Sequence, residues 1–275
     1  MIELPEAVVL AKQIDATLAG KEIRKVVAAH TPHKFAWYTG DPQKYNDLLK
    51  GKTIHRAVNR GGLVEIKAGD VSVCLGDGAN LRFFRKSEKL PEKHQLWIEF
   101  EDETTLVGMV QMYAGFYVYS DGTQIDNKYY LVAGEKPSPL SSAFNMAYFE
   151  SLFDNESGKL SLKAFLATEQ RIPGLGNGVL QDILFNSEMH PKKKVNTISS
   201  EKKEVLFNSL NETLFKMVAG GGRDTEKDLF GESGRYRTLM CKNNLDNPCP
   251  RCTGKITKEA YMGGSVYYCP NCQHA

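Results

Sequence analysis

Two Cys-x-x-Cys pairs near the C-terminus are the strongest chemical signal in the sequence. The pairs, separated by sixteen residues, are formed by Cys249, Cys252, Cys269 and Cys272. Two such pairs at this spacing supply four thiolates to one tetrahedral zinc ion. Two disulfides are the alternative, but the lone Cys74 and Cys241 and the lack of a recognisable signal peptide argue against an oxidising compartment. Because a hairpin of 27 residues cannot bury a core of its own, we expect the zinc to be structural.

The first residues, MIELPEA, could carry nucleophilic chemistry. The N-terminal amine of Met1 is followed closely by the carboxylates of Glu3 and Glu6, so an amine nucleophile with proton-transfer partners is one interpretation. An ordinary helix start is the other, because Pro5 suits a first-turn position and Glu6 favours the positive end of the helix dipole. On these residues alone, the helix start is the favoured interpretation.

A glycine-rich turn, PGLG at 173–176, precedes an apolar-periodic segment that begins near Asn177. The free backbone N–H groups and positive dipole end of such a helix suit a phosphate group. Asn177 could donate to a phosphate oxygen, or it could cap the helix. The sequence leaves both roles open.

The elements that would position these groups change in character along the chain. Residues 5–19 have helical periodicity, and β-branched and aromatic runs then continue to about Asp121, which predicts an antiparallel β-sandwich with an N-terminal helix. A linker at 134–142 leads to four helical segments. The last of these has one apolar stripe, formed by Leu206, Leu210, Leu214, Met217 and Val218. We therefore predict an α+β multidomain protein, with a β-sandwich domain at 1–135, a helical domain at 136–240 and a zinc β-hairpin at 241–275.

The composition, 41% hydrophobic and 25% charged, is that of a soluble globular protein. No stretch is long and apolar enough to span a membrane, and we expect a cytoplasmic protein that does not bind membranes. The net charge of +2 is unevenly distributed, because residues 190–275 hold 14 Lys and Arg against 9 Asp and Glu. This basic C-terminal third is compatible with a polyanion-binding face or with an ordinary solvated surface.

Taken together, these motifs resemble the formamidopyrimidine-DNA glycosylase/endonuclease VIII family over the whole chain. ELPEA before a helix resembles the start of that family, GLGNGVLQDILF followed by MHP resembles its helix–two-turns–helix element, and CPRC…YYCPNCQ resembles its zinc hairpin. The resemblance implies a helix–two-turns–helix DNA-binding domain at 136–240, double-stranded DNA in a cleft beside the β-sandwich, a flipped damaged nucleotide and structural Zn²⁺. It also implies base excision by an N-terminal proline amine that attacks the sugar, assisted by the neighbouring glutamate, and strand cleavage through an imine.

The sequence departs from that family at positions that carry the chemistry. Ile2 stands at the proline position, so the free amine belongs to Met1, about 3.8 Å of chain away. Gly62 stands where the family has a phosphate-gripping lysine, and Gly264 stands where its zinc hairpin has an arginine. The resemblance therefore preserves the DNA-binding framework better than the imine chemistry.

Two further replacements lie in the predicted β-sandwich. Cys74 replaces a DNA-contacting histidine, and Asp77 replaces a wedge methionine and would place negative charge toward DNA. Tyr113 could supply a replacement wedge by stacking on a base, while Gln111 reaches the orphaned partner base. Packing within the core or the strand is an equal alternative for Tyr113. The resemblance leaves three other DNA-binding positions in place: Asn177, Gln170 and Arg60.

Two functional hypotheses follow from these residues. We favour a monomeric protein that binds damaged, abasic or bent double-stranded DNA, with base excision and imine-based lyase activity reduced or lost. The alternative is an active glycosylase or abasic-site lyase that uses the Met1 amine or a water activated by Glu3, with Glu6 as the second catalytic carboxylate. A zinc-hairpin module for RNA or protein is disfavoured by the full-length resemblance. The sequence identifies no particular lesion.

Overall fold

The computed structural model describes residues 1–274 and, at Asp77, the backbone alone. Helix α1 spans Leu4–Leu18, and a short helix α2 spans Tyr45–Leu49. The strands of the N-terminal part are β1 (Ile23–Ala28), β2 (Ala36–Tyr38), β3 (Ile54–Arg60), β4 (Leu63–Ala68), β5 (Val71–Phe84), β6 (Leu96–Phe100) and β7 (Thr105–Ser120). Pro5 and Glu6 lie in the first turn of α1, as expected for a helix start.

The seven strands form one sheet that folds over on itself. Its order is β1-β6-β7-β5-β4-β3, antiparallel throughout, and the short β2 pairs in parallel with β7. The pairing of β5 with β7 shifts register between Asp77 and Ala79, where a bulge bends the two long strands. The N-terminal half of β5 pairs with β4, while the N-terminal half of β7 pairs with β6. The predicted antiparallel β-sandwich is confirmed.

The remainder of the chain is helical, apart from the C-terminal hairpin. The helices are α3 (Lys128–Glu135), α4 (Met146–Ser151), α5 (Leu162–Ala167), α6 (Asn177–Asn186) and α7 (Ser200–Ala219), and the hairpin strands are β8 (Thr257–Tyr261) and β9 (Gly264–Tyr268). The four predicted helical segments correspond to α4–α7, whereas α3 was not predicted. In α7 the apolar stripe is buried as predicted, except that Val218 is only partly buried.

Three hydrophobic cores underlie this arrangement: one inside the β-sandwich, one among the helices and one beneath the zinc hairpin. Helix α1 belongs to two of them, because Ile14 packs in the sandwich core while Leu4 and Val8 pack in the helical core. Leu229, which follows α7, returns to the sandwich core. The predicted domain boundaries at 135/136 and 240/241 stay predictions. Within residues 1–274, no helix has the length and apolar character that crossing a membrane requires.

Candidate nucleic-acid interface

A cleft of about 540 Å³ opens between the β-sandwich and the helices. Its walls are the N-terminal residues, the β3–β4 turn, the turn before α6 and the tip of the β8–β9 hairpin. The predicted site residues that line it are Met1, Glu3, Arg60, Tyr113, Gln170 and Asn177. Glu6 and Gln111 do not line this cleft but border a much smaller cavity beside Met1. The structure thus collects most of the predicted residues around one opening.

The N-terminal amine is held in an ion pair. The ammonium group of Met1 pairs with the carboxylate of Glu226, which lies on the connector after α7. Attack on a sugar carbon would require this amine to separate from Glu226 and to present a free lone pair. Ile2, at the position of the family's proline, is only 7% exposed and packs in the sandwich core. The first two residues are therefore held in place, Met1 by its ion pair and Ile2 by packing in the core.

Besides the cleft, Met1 borders a second and very small cavity. A cavity of about 10 Å³ is bordered by Met1, Ile2, Glu6, Gln111 and Glu226, among others. This volume accommodates about one water molecule. A nucleobase does not fit there in this conformation.

Glu3 caps the helix that the glycine-rich turn introduces. Its Oε1 accepts a hydrogen bond from the backbone N–H of Gly178, and its Oε2 accepts one from that of Val179, both at 2.8 Å. These N–H groups belong to the first turn of α6, so a carboxylate of the chain itself occupies the helix end that we expected to suit a phosphate. Burial raises the pKa of the Glu3 carboxyl, against the opposing charge of Arg223.

A buried arginine that sequence analysis missed connects the two glutamates. The Nε and Nη2 atoms of Arg223 donate to the Glu6 carboxylate at 2.9 and 2.7 Å, and its Nη1 lies 3.7 Å from Glu3 Oε2. Its Nη2 also donates to the Met1 carbonyl at 3.2 Å. The available signal was a lone arginine directly after three glycines in GGGRDTE. Both carboxylates assigned to catalysis are therefore partners of a permanent cation.

The ionisation of Glu6 follows from this contact. Burial by itself would raise the pKa of the Glu6 carboxyl, but the charge and hydrogen bonds of Arg223 outweigh burial and lower that pKa below its ordinary value. Burial by itself would lower the pKa of the Arg223 guanidinium, but the charges of Glu6 and Glu3 outweigh burial and raise that pKa. Arg223 and Glu6 consequently form a charged pair inside the protein.

Asn177 does not cap its helix. Helix α6 begins at Asn177 with Gly176 as the N-cap residue, and no side chain of the cap residue bonds to the helix. The Asn177 amide instead donates to the backbone carbonyl of Ser265 at 3.0 Å, and Gln181 donates to the same carbonyl at 3.2 Å. The capping interpretation is wrong. Because Asn177 also lines the cleft, its phosphate-binding role stays a prediction.

Gln170 shapes the glycine-rich turn. Its Oε1 accepts a hydrogen bond from the backbone N–H of Gly174 at 3.0 Å. Gly174 has a φ of +80°, and a Cβ there would lie 2.6 Å from the backbone of Gly61 and Gly62, so only glycine permits this close approach. Gly62, at the position of the family's lysine, also lines the cleft. The DNA-binding role of Gln170 stays a prediction.

Arg60 already has a partner within the protein. Its Nε donates to Glu65 Oε2 at 2.7 Å, and its guanidinium lies 5.2 Å from the centre of the Tyr130 ring. The Arg60 side chain is still 37% exposed and lines the cleft, so its contact with a phosphate stays a prediction. Cys74, by contrast, is completely buried, and burial raises the pKa of its thiol.

The proposed wedge residues lie on β7. Gln111 is exposed and Tyr113 is half-buried, and the Tyr113 hydroxyl donates to the Met1 sulfur at 3.3 Å. A Cβ at Gly78 would lie 2.3 Å from the Tyr113 carbonyl oxygen, so the bulge in β5 requires glycine at this point. The wedge role stays a prediction. The side chain of Asp77, expected to face DNA, lies outside the described part of the structure.

The four cysteines of the two Cys-x-x-Cys pairs converge on one point. Their sulfurs all lie within 4.8 Å of one another, with Sγ–Sγ distances of 3.9 Å for Cys249–Cys272 and 3.4 Å for Cys252–Cys269. A tetrahedron with zinc–sulfur bonds of ~2.3 Å has edges of about 3.8 Å. The sulfurs fit such an ion with no open coordination position, and all six cysteines of the chain are free thiols.

The zinc hairpin docks on the helices and completes the cleft. The Gln273 side chain accepts from the Cys269 N–H at 3.0 Å and donates to the Met189 carbonyl at 2.9 Å. A Cβ at Gly264 would lie 3.5 Å from the amine of Lys163, a residue of α5 that lines the cleft. The Lys163 amine therefore lies beside the position of the family's hairpin arginine. Sequence analysis missed this residue.

Two domain models match the chain. The formamidopyrimidine-DNA glycosylase N-terminal domain matches residues 1–117, and the formamidopyrimidine-DNA glycosylase H2TH domain matches residues 136–228. A formamidopyrimidine-DNA glycosylase of Lactococcus lactis is 26% identical over 281 residues, covering 99% of both chains. A glycosylase of the same name from Dechloromonas aromatica is 26% identical over 291 residues, covering 100% of both.

Solved structures with this fold include complexes with DNA. The wild-type Lactococcus lactis Fpg (MutM) bound to DNA containing N7-benzyl-Fapy-dG superposes with a TM-score of 0.84 at 23% identity, covering 99% of this chain and 100% of that one. MutM (Fpg) from Thermus thermophilus gives a TM-score of 0.80 at 23% identity, covering 98% of both chains. A complex of the Lactococcus lactis protein with abasic-site DNA gives 0.83 at 22% identity, covering 99% and 100%.

Proposed function

Because the chain belongs to the formamidopyrimidine-DNA glycosylase/endonuclease VIII family, we propose that it binds damaged, abasic or bent double-stranded DNA while its base-excision and imine-based lyase activities are reduced or lost. DNA would lie in the cleft between the β-sandwich and the helices, where Arg60, Asn177, Gln170 and Tyr113 are available to contact it. Two of the structural relatives are complexes with lesion-containing or abasic DNA, which supports this class of partner.

One observation carries the loss of chemistry: the Met1 amine is ion-paired with Glu226. The family's nucleophile position is filled by Ile2, a core residue, so the available backbone amine is that of Met1, one residue earlier. Displacing a nucleophile by even ~1 Å can reduce a rate about a hundredfold. The cavity that Met1 shares with Glu6 and Glu226 is only water-sized, so a damaged base could approach Met1 only from the larger cleft.

Borohydride trapping on a duplex with one abasic site tests this proposal, because it requires neither lesion recognition nor base removal. We expect binding in a mobility-shift assay but no covalent adduct, with the Lactococcus lactis glycosylase assayed in parallel for comparison. An adduct that disappears when the N-terminal amine is blocked would instead assign lyase activity to Met1.

A separate assay addresses excision without an imine. Both oxygens of Glu3 accept backbone hydrogen bonds and its carboxylate faces Arg223, so it is poorly placed to activate water. We expect no base release from duplexes that carry oxidised purines or pyrimidines. Release that Glu3→Gln abolishes would establish the Glu3-activated route.

The same proposal includes the cofactor, the assembly and the compartment. Zn²⁺ would be held by Cys249, Cys252, Cys269 and Cys272, whose sulfurs fit a tetrahedral ion. The ion would supply cross-linking of the hairpin rather than catalysis, since four protein ligands leave no site for substrate. We further propose that the protein acts as a monomer. We place it in the cytoplasm, because free thiolate ligands require a reducing compartment.

A further inference from the structure

Both methionines that are exposed in the described part of the chain line the cleft. Met112 is 60% exposed on β7, on the sandwich side, and Met262 is 51% exposed at the turn between β8 and β9, on the hairpin side. The remaining methionines are buried or half-buried. We call Met112 and Met262 the cleft methionines. Because methionine is flexible and suits adaptable binding surfaces, the two side chains are available to contact a ligand in the cleft.

A bulge in β7 accounts for the exposure of Met112. In the pairing of β7 with β5, Gly78 alone stands opposite the three residues 111–113. Extra residues on one strand bend that strand away from its partner and interrupt the ladder. Met112 is the middle residue of this bulge, so its side chain stands away from the sheet.

The backbone at Met262 is strained. Strand β8 ends at Tyr261 and β9 begins at Gly264, so Met262 and Gly263 form a two-residue turn with φ values of +49° and +72°. Such turns favour Asn followed by Gly, because most side chains are strained at positive φ. The Ser161 hydroxyl donates to the Met262 sulfur at 3.7 Å and so positions the thioether. Strained residues cluster at binding sites, which supports a ligand contact for Met262.

The charge of the cleft makes apolar contacts important for affinity. The cationic side chains among its described lining residues are Arg60 and Lys163, and Arg60 is already paired with Glu65. With few phosphate contacts available, affinity must come to a larger degree from apolar surface that binding removes from water. Oxidation of a thioether to a sulfoxide makes the side chain polar and disrupts interfaces that contain methionine.

We propose that the cleft methionines are an oxidation-sensitive part of the DNA-binding site, so that their conversion to sulfoxides by hydrogen peroxide releases DNA. In each reaction the thioether sulfur donates an electron pair to one peroxide oxygen. An S–O bond forms, the O–O bond breaks, and the second oxygen leaves as water. Methionine sulfoxide reductases reverse this oxidation. The inference rests on the proposed DNA binding and adds a form of regulation to the same site.

Treatment of the zinc-loaded protein with hydrogen peroxide tests this proposal. We expect peptide mass spectrometry to find one added oxygen at each cleft methionine before the buried Met217 and Met240 are modified. Fluorescence anisotropy with an abasic-site duplex should then show an affinity reduced by about 3- to 30-fold. Incubation with the two methionine sulfoxide reductases, one for each sulfoxide epimer, should restore the affinity.

Leucine variants separate oxidation of the cleft methionines from damage elsewhere. The double variant Met112→Leu/Met262→Leu replaces both thioethers by apolar side chains that peroxide does not attack, so its affinity should not change on treatment. Met146→Leu alters a half-buried methionine on α4 that does not line the cleft. This control should lose affinity on treatment to the same degree as the unaltered protein.

Oxidation of the four cysteines is the competing explanation for a loss of affinity. A loss that persists in the double variant, or that the reductases do not reverse, would overturn the proposal and assign the sensitivity to those thiols. Unchanged affinity of protein in which both cleft methionines are oxidised would also overturn it. Failure of the untreated protein to bind the duplex would instead contradict the proposed function.

Discussion

At the scale of single residues, the dominant feature is the buried ion pair between Arg223 and Glu6, with Glu3 beside it. Arg223 is 3% exposed and Glu3 and Glu6 are each 5% exposed, so all three charged groups have been taken out of water. Such groups gain little net stability from pairing, but removing one partner leaves an uncompensated buried charge. The network therefore fixes the geometry of the N-terminus more than it adds to overall stability.

Arg223→Met should lower the free energy of unfolding by about 3–5 kcal/mol, because it leaves two buried carboxylates without their cation. Urea unfolding measures the loss. The matched control is Arg24→Met, whose side chain is 51% exposed and whose pair with Glu99 should cost about 1 kcal/mol or less. A comparable loss in the two variants would contradict the special position of Arg223.

The pH dependence of stability should carry the signature of Glu6. Its pKa is lowered in the folded protein, so its contribution is fully present above the ordinary value of 4.5 and is lost as the pH falls below it. Glu3 has a raised pKa in the folded protein, so its contribution to stability is present at low pH and is lost as the pH rises. We expect Glu6→Gln to unfold at lower urea than the unaltered protein at neutral pH but to lose less further stability on acidification. Parallel losses in both proteins would exclude this role.

At the scale of elements, the first turn of α6 joins the N-terminus to the zinc hairpin. Glu3 receives two N–H groups of this turn, while Asn177 and Gln181 donate to the hairpin backbone. The hairpin shares a small hydrophobic core with α6, which contributes Phe185. The position of the hairpin tip in the cleft therefore depends on α6 and on the metal that we propose for the four cysteines.

Cys249→Ser, or removal of the metal by a chelator, should unfold the hairpin and weaken DNA binding while the β-sandwich stays folded. Both tryptophans lie in the sandwich, so their emission should remain native while DNA affinity falls. Cys241→Ser alters a cysteine outside the quartet and serves as the control. Unchanged DNA affinity in protein verified to be metal-free would remove the hairpin from the binding face.

These elements also show what a sequence can and cannot predict. Periodicity and turn chemistry identify the helices and strands, and the Cys-x-x-Cys spacing identifies four cysteines that converge and could hold a metal, because each signal is local. Arg223 and Lys163 were missed since their significance arises from contacts with residues far along the chain. Asn177 was assigned a possible cap because the sequence cannot reveal that Glu3, more than 170 positions earlier, takes the N–H groups of the same helix.

At the scale of the whole molecule, the charge distribution of the cleft limits how DNA can be held. Among the described residues that line it, the cationic side chains are Arg60 and Lys163, and Glu3 adds an acid. Each phosphate contact contributes about −0.9 to the slope of log affinity against log salt. Binding should therefore depend on shape and stacking to a larger degree than on charge.

Arg60→Gln should reduce the steepness of that salt dependence by about 0.9 if Arg60 contacts a phosphate, and it should weaken binding to all sequences equally. Fluorescence anisotropy at several salt concentrations measures the slope. Arg24→Gln is the control, because Arg24 also pairs with a glutamate, Glu99, but lies on β1 and does not line the cleft. The same slope in the Arg60 variant would place that side chain away from the DNA backbone.

The contacts of Met1, Glu3 and Glu6 also constrain when the protein can finish folding. Their partners, at 178–179, 223 and 226, emerge late in synthesis. At about 5–20 residues per second, the first residues wait roughly 10–45 s for Glu226 to be made. Helix α1 can join the sandwich core during that interval, but its first turn completes its packing only once the helical core exists. The first residues of this chain are synthesised first, but they are among the last to reach their folded positions.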